Sequence, residues 1–391
     1  MLMSEKNCDK SVLMVASVAS MIDLFNEDNI NILQSLGYIV HVMTNFENGS
    51  ITSNERVQEF RRELDEKGVY ATHVPIPRSL FKLKAIIESY RMIKKEVASK
   101  DYEIVHCHSP IGGVVCRMAC RKARKKGTKV IYTAHGFHFF KGANFKNWLL
   151  FYPAEKLCSK YTDKLITINQ EDYERASRWK TTSVDYVPGI GVSTEKFQLC
   201  SCDFEILRSS FGFQKDDFIL MSTGQISVRK NQEVIIRALG KLNNHHIKYL
   251  LVGTGELEDK LKTLSKELKI EKQVVFAGYR RDISDLLHAV DAFVFPSLQE
   301  GLPVALMEAM ASGLPIVCSC IRGNTDLIVD GKGGYLVAPR DVDGFAHAIK
   351  NMIENYEALQ IMRETNIETM KNFDVAQVHK KMIEIYSSIS Q

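Results

Sequence analysis

The sequence is notable first for what it lacks. No apolar run approaches the ~18–20 residues needed to cross a bilayer. Val12 to Ala19 is too short for that, and it lacks the charged start and cleavage site of an export signal, so it reads as a first buried strand. Nine cysteines show no paired, evenly spaced framework and read as reduced thiols of a cytosolic protein. Cys200-x-Cys202 and Cys318-x-Cys320 have no second ligand pair at zinc spacing, which argues for small core or loop residues. Internal repeats and low-complexity tracts are absent. Acidic residues are missing altogether between Glu103 and Glu155, and glycine is missing from the first loop, Ser17 to Asn26. A net charge of +4 excludes little; its distribution matters more.

What is present points to two α/β domains. A chain of 391 residues is long for one core. Ser11–Ala19 reads as a strand, Asn29–Leu36 as a helix closed by Gly37, and Tyr38–Thr44 as a strand. The alternation continues with strand Val69–Val74, helix Leu80–Ser99, strand Ile104–Cys107, helix 114–125 and strand Lys129–Thr133. Such alternation predicts a parallel, doubly wound sheet whose ligands lie at the carboxyl ends of the strands. Lys164–Ile168 and Val184–Val187 follow as strands. Pro188-Gly-Ile-Gly-Val192 then places a boundary: 1–192 as a first Rossmann-like domain, 193–373 as a second, and 374–391 as a helix returning to the first.

The chain is organised around Phe295 to Val317. A strand closed by Pro296 leads to a loop with Glu300 and Gly301. Pro303 suits the first turn of a helix, and Gly313 and Pro315 end it. Unpaired amides from Gly301, Leu302 and Val304 make that helix start an anion site, flanked by Glu300 and, two turns in, Glu308. An isolated glutamate pair would more often be solvated or dipole-favoured; the glycine and proline setting reverses that. Upstream, Gly224 opens a loop in which Arg229 and Lys230 precede a helix. That is a planar fork and a point charge suited to a diphosphate, where an isolated pair would be a solvated loop. Asp341-x-Asp343 opens a helix and reads as an N-cap.

His106-Cys-His108 ends a strand with both imidazoles on one face. A metal pair there lacks an evident third ligand, which leaves a cleft-lining or satisfied structural role. His135-Gly136 follows the next strand, with His138, Lys141 and the aromatics Phe137, Phe139 and Phe140 beside it. The cation-only interval holds Arg117, Arg121, Lys122, Arg124, Lys125 and Lys126, and Lys82 and Lys84 lie upstream. With exposed-looking Phe and Trp148-Leu-Leu-Phe-Tyr152, this suits an anionic lipid surface or a lipid-diphosphate acceptor. No motif supports nucleic acid.

The Glu300–Glu308 stretch, Glu-Gly-Leu-Pro…Glu-Ala-Met-Ala-Ser-Gly-Leu-Pro, resembles the signature of the family 4 retaining glycosyltransferases, and the resemblance extends over nearly the whole chain. It implies a GT-B fold, two Rossmann-like domains facing across a cleft. It implies transfer of a sugar, with retention, from a nucleoside-diphosphate sugar, UDP-linked by expectation. The roles it implies are Arg229 and Lys230 on the leaving diphosphate, Glu300 on the donor sugar and Glu308 on the ribose. It also places Tyr279 and Arg280 near the base and His135 near the sugar. His108, His138, Lys141, Arg121, Lys122, Arg124 and Lys125 fall on the acceptor or membrane side. No metal or other cofactor is required beyond the nucleotide sugar as co-substrate. Ser193 stands where the family commonly has Asp. The string from His135 to Gly142 is similar to enzymes of capsule and exopolysaccharide assembly. That implies a lipid-linked or glycan acceptor and a cytoplasmic site, peripheral on the inner face of the plasma membrane. A nucleotide-sugar 2-epimerase and a non-catalytic nucleotide-sugar-binding subunit share the architecture and remain the alternatives.

Overall fold

The computed structural model describes residues 10–50, 52–181, 183–199 and 203–389. Cys200 and Cys202 lie outside them. The chain divides into two compact units, Met1–Ile190 with Val378–Gln391, and Gly191–Gln377.

The first unit is built on seven parallel strands: β1 (Ser11–Val15), β2 (Ile39–Thr44), β3 (Tyr70–His73), β4 (Ile104–His108), β5 (Lys129–Ala134), β6 (Lys164–Thr167) and β7 (Ser183–Tyr186). Their order is β3-β2-β1-β4-β5-β6-β7. β1 and β4, buried on both faces, meet in the middle, where the winding reverses. The helix Val375–Ile389 contributes Val378, Met382, Ile385 and Tyr386 to this unit's core.

The second unit has six parallel strands: β8 (Phe218–Thr223), β9 (Ile247–Val252), β10 (Val274–Gly278), β11 (Ala292–Phe295), β12 (Ile316–Ser319) and β13 (Gly334–Val337). The order β10-β9-β8-β11-β12-β13 puts its switch point between β8 and β11. A crevice outside the carboxyl ends of those two strands is the physical expectation for a ligand.

Several boundaries differ from the sequence reading. The first strand stops at Val15, not Ala19, because the ladder with β2 stops at Met43; a short helix, Ala19–Asp23, follows. The helix expected over 114–125 starts at Pro110 and breaks at Cys120. Gly112 and Gly113 lie within it, at points of close contact. A Cβ at Gly113 would lie 2.4 Å from the Tyr132 ring, and one at Gly112 2.9 Å from Ser17 Oγ. Asp341 does cap its helix, accepting from the Gly344 N–H at 2.8 Å.

Candidate active site

In the second unit the helix Val304–Ala311 follows β11, with Pro303 at its N-cap. Leu306, Met307, Ala309 and Met310 are fully buried, each larger side chain contributing about 1.5–3 kcal/mol. Gly313, at φ +74°, closes the helix in a Schellman motif: Gly313 N–H donates to Met310 and Leu314 N–H to Ala309. At the other end the first ladder bonds run from Leu306 and Met307 to the Pro303 carbonyl. The amides of Val304 and Ala305 precede that ladder and face the turn after Gly301 and Leu302.

β8 and β11 are immediate neighbours, so the Arg229–Lys230 loop reaches the Glu300 turn directly. Arg229 Nη1 donates to Glu300 Oε1 at 2.8 Å and to the Gln299 carbonyl at 3.1 Å; Lys230 Nζ meets the same Oε1 at 2.9 Å. Lys230 is largely but not fully buried and also sits 4.5 Å from the centre of the Phe295 ring. Burial pulls its pKa below the usual ammonium value, and Glu300 opposes the shift. Arg229 remains about half exposed.

Two residues that the sequence reading passed over hold this turn. Buried Arg322 donates to the Glu300 carbonyl from Nε at 3.3 Å and Nη2 at 3.1 Å. Asn231, left-handed at φ +56°, donates to the carbonyls of Pro296 and Pro339 at 3.0 and 2.7 Å, stapling three strand-end loops together. Glycines supply close approach. A Cβ at Gly323 would lie 2.4 Å from the Gly301 carbonyl oxygen, and one at Gly253 2.0 Å from that of Gly224. Gly253-Thr-Gly255 therefore seats the Gly224 loop against β9. The Glu308 side chain is largely buried and its carboxyl makes no hydrogen bond among the described residues; burial raises it to about 7, against a smaller pull from Lys196. Tyr279 and Arg280 follow the edge strand β10. Tyr279 is exposed, whereas Arg280 is already engaged by Asp282 at 2.8 Å and lies over the Phe211 ring.

In the first unit, His135 leaves β5 into a loop pinned by acids of the helix Gln170–Ala176, which follows β6. Phe137 N–H donates to Asp172 and Lys141 N–H to Glu171, both at 2.8 Å. His135 lines a cavity of about 160 Å³ with Asp23, Phe25, Thr133, Val187 and His379. Burial lowers His135 to about 4, so its imidazole is neutral. His138 is half-buried against Phe151, and Lys141 is exposed. His108 does not line the cavity as an acceptor contact must: its ring is sealed, with Nδ1 3.2 Å from His135 Nε2. Phe137 and Phe139 are not exposed either; they stack on each other beneath Trp179.

The expected cationic patch separates into distinct parts. Arg117 is fully buried and paired with Glu155 at 2.6 Å, beneath the Tyr132 ring. Arg124 forms a two-pronged pair with Asp163, just ahead of β6. Lys122 borders a pocket with Lys10, Asp101 and Thr128, residues that precede strands. Arg121, Lys122, Arg124 and Lys125 thus lie toward the amino ends of the sheet, because their helix runs back along it from the carboxyl end. His135, His138 and Lys141 lie at the opposite end.

Among the described residues no group of three or more His, Cys, Asp or Glu side chains is placed to hold a metal ion. Models of known families match both units: "Glycosyl transferases group 1" over residues 203–369 and "Glycosyltransferase Family 4" over residues 30–188. EpsD of Bacillus subtilis (strain 168), which bears a glycosyltransferase name, is 36% identical over 384 residues, covering 97% of each chain. The chain belongs to the glycosyltransferases, related to family 4 and group 1. An Escherichia coli relative named UDP-Gal:alpha-D-GlcNAc-diphosphoundecaprenol alpha-1,3-galactosyltransferase is 29% identical over 313 residues, 78% of this chain and 79% of that one. Anabaena HepE, solved with UDP, superposes with a TM-score of 0.76 over 97% of this chain and 100% of its own, at 20% identity. Its complex with UDP-glucose gives 0.74. The fold of this glycosyltransferase is accordingly GT-B, with two doubly wound units.

Proposed function

We propose that the chain transfers a glycosyl group from a UDP-sugar, with retention, to a lipid-diphosphate-linked acceptor in the assembly of a cell-surface polysaccharide. The observation that carries this reading is the Glu300 turn. Arg229 and Lys230 bring two cations to its carboxylate and Arg322 a third to its backbone carbonyl, ahead of a helix start, a site with excess positive charge and helix-start amides. HepE carries UDP-glucose, and the Escherichia coli relative is named for a diphosphoundecaprenol acceptor; both support the choice of substrates.

In this scheme the bond from the anomeric carbon to the β-phosphate oxygen breaks, and negative charge grows on the departing UDP. Arg229, Lys230 and the helix-start amides stabilise it without reorganising. Glu300 Oε2 takes donor-sugar hydroxyls while Oε1 stays on the two cations. Glu308 takes the ribose hydroxyls. The acceptor oxygen bonds to the anomeric carbon on the face the phosphate leaves, and its proton passes to the leaving phosphate oxygen. His135 orients the sugar.

The membrane reading has a specific surface in the first unit. Phe81 ahead of one helix, Leu83 and Ile87 on it, and Phe145, Leu149 and Leu150 on another are exposed. Both helices pack on the same face of the sheet and follow the carboxyl ends of their strands. Lys82, Lys84, Lys141 and Lys146 surround them, matching an anionic lipid surface. No helix among the described residues is long and apolar enough to cross a membrane.

The test is diphosphate release from a panel of nucleotide sugars, with and without lipid extract. Release from one UDP-sugar that needs the extract supports transfer. Consumption of donor without any acceptor would favour an epimerase instead. Flotation with anionic vesicles, lost in Phe81→Glu with Leu149→Glu, tests the surface; activity on a soluble glycan with no vesicle binding would overturn it.

A further inference from the structure

β4 places His106 and His108 on one face, and the parallel register sets His108 beside Thr133 of β5, two residues before His135. Three imidazoles therefore gather at the carboxyl ends of adjacent strands. The rings of His106 and His108 are 4.1 Å apart, and those of His108 and His135 are 5.5 Å apart. His106 and His108 are fully buried. At these spacings in a dry interior each ring is neutral, and each carries a single N–H.

The protons can then be assigned. His106 has both nitrogens engaged, Nδ1 with Tyr386 OH at 2.9 Å and Nε2 with Thr133 Oγ1 at 2.8 Å. His108 uses Nδ1 on His135 Nε2, and its own Nε2 is sealed with no partner. One proton lies between the two rings. If His135 supplied it, His108 would carry its N–H on Nε2 and bury an unmet donor. If His108 supplies it, only a bare lone pair is left unmet. Orphaned buried N–H groups are the rarer of the two. The proton therefore belongs to His108 Nδ1, and that of His135 belongs to its Nδ1, on a ring that lines the cavity.

We propose that His108 is a positioning residue that locks His135 as its Nδ1–H tautomer, so that His135 acts as a hydrogen-bond donor and not an acceptor toward the bound sugar. Its mechanistic weight rests on the reading that His135 faces the donor sugar; the tautomer itself does not. The fold supports the arrangement from below, since Tyr386 of the closing helix and Thr133 fix the ring on which His108 rests.

The experiment is long-range 1H–15N correlation on full-length protein with 15N-histidine, the His135 signals being assigned by their loss in His135→Asn. The unmodified protein is expected to show His135 protonated at Nδ1. In His108→Phe, which keeps a flat ring but no donor, that pattern gives way to the Nε2–H form or a mixture. Turnover at saturating donor falls about 100-fold while donor KM stays within about twofold. His108→Asn, whose amide replaces the donor, restores both. An Nε2–H pattern for His135 in the unmodified protein overturns the proposal, even if His108→Phe does not fold. So does a tautomer that His108→Phe leaves unchanged. A tautomer that switches as expected with turnover intact would overturn the placement of His135 at the sugar and leave the lock standing.

Discussion

Glu308 offers the sharpest test of whether the fold holds a carboxylate for a ligand's benefit. It sits in a helix beside fully buried Met307 and Ala309, its carboxyl makes no hydrogen bond among the described residues, and that carboxyl is raised from 4.5 to about 7 by burial. A carboxyl raised in this way binds more protons folded than unfolded, so stability is fully retained below pH 4.5 and is lost as pH rises toward 7. The two values give a cost of about 3 kcal/mol at pH 8 and about 1 kcal/mol at pH 5. Glu308→Gln keeps the shape and removes the charge. At pH 8 it is expected to gain about 2 kcal/mol more stability than at pH 5, or about 4–8 °C in Tm for a unit of this size. Partial solvent contact makes these upper values. Calorimetric melting of both proteins at the two pH values reads the difference, with UDP titration alongside. The variant is expected to melt higher at pH 8 yet bind UDP about tenfold or more weakly, because an amide accepts ribose hydroxyls less well than a carboxylate. An equal Tm change at both pH values, or a loss at pH 8, would refute the account of Glu308 as an unpartnered buried acid.

Other perturbations have equally definite outcomes. Gly323→Ala places a Cβ 2.4 Å from the Gly301 oxygen at φ +83°, so it should lower stability by about 1–3 kcal/mol and weaken UDP binding together, read by melting and calorimetry. Lys230→Met removes a buried cation from the departing charge; turnover should fall about 100-fold or more, while circular dichroism is unchanged. Arg117→Met strands the buried Glu155 carboxylate and should cost about 3–5 kcal/mol, most of it recovered when Glu155→Leu is added, read by denaturant unfolding.

The sequence carried the alternation of strands and helices because nearly every strand is an apolar run bounded by glycine, proline or a cap. It carried the Glu300 turn because that candidate site is contiguous: strand end, turn and helix lie within one stretch. Contacts made across the sheet were not legible. Arg322 and Asn231 act on carbonyls of loops 22 and 65 residues away, and nothing in their own neighbourhoods signals it. Arg117 looked like one more surface cation, since its partner Glu155 lies 38 residues on and the helix turns that face inward. The cationic interval misled for a related reason. Charge counted along a chain says nothing of position, and a helix returning along the sheet carries Arg121 to Lys125 away from the strand ends where His135 sits.

The two units reach their sites by different physical routes. In the second, glycines bring backbones to near-contact: Gly253 against Gly224, Gly255 against Ile226, Gly323 against Gly301. Loops seated this closely have little room to move, so the cations on them are fixed before any ligand arrives. That is the condition under which they stabilise developing charge most strongly. The cations are nonetheless held on Glu300 Oε1, so they are neutralised in part without being used up, and the other carboxylate oxygen remains for hydroxyls. In the first unit His135 follows the end of β5. Its loop is fixed by Asp172 and Glu171, and its ring by His108. Precision there comes from hydrogen bonds among neutral groups, so single-atom substitutions should alter chemistry in the first unit, whereas in the second, added bulk at a glycine should alter fold and chemistry together.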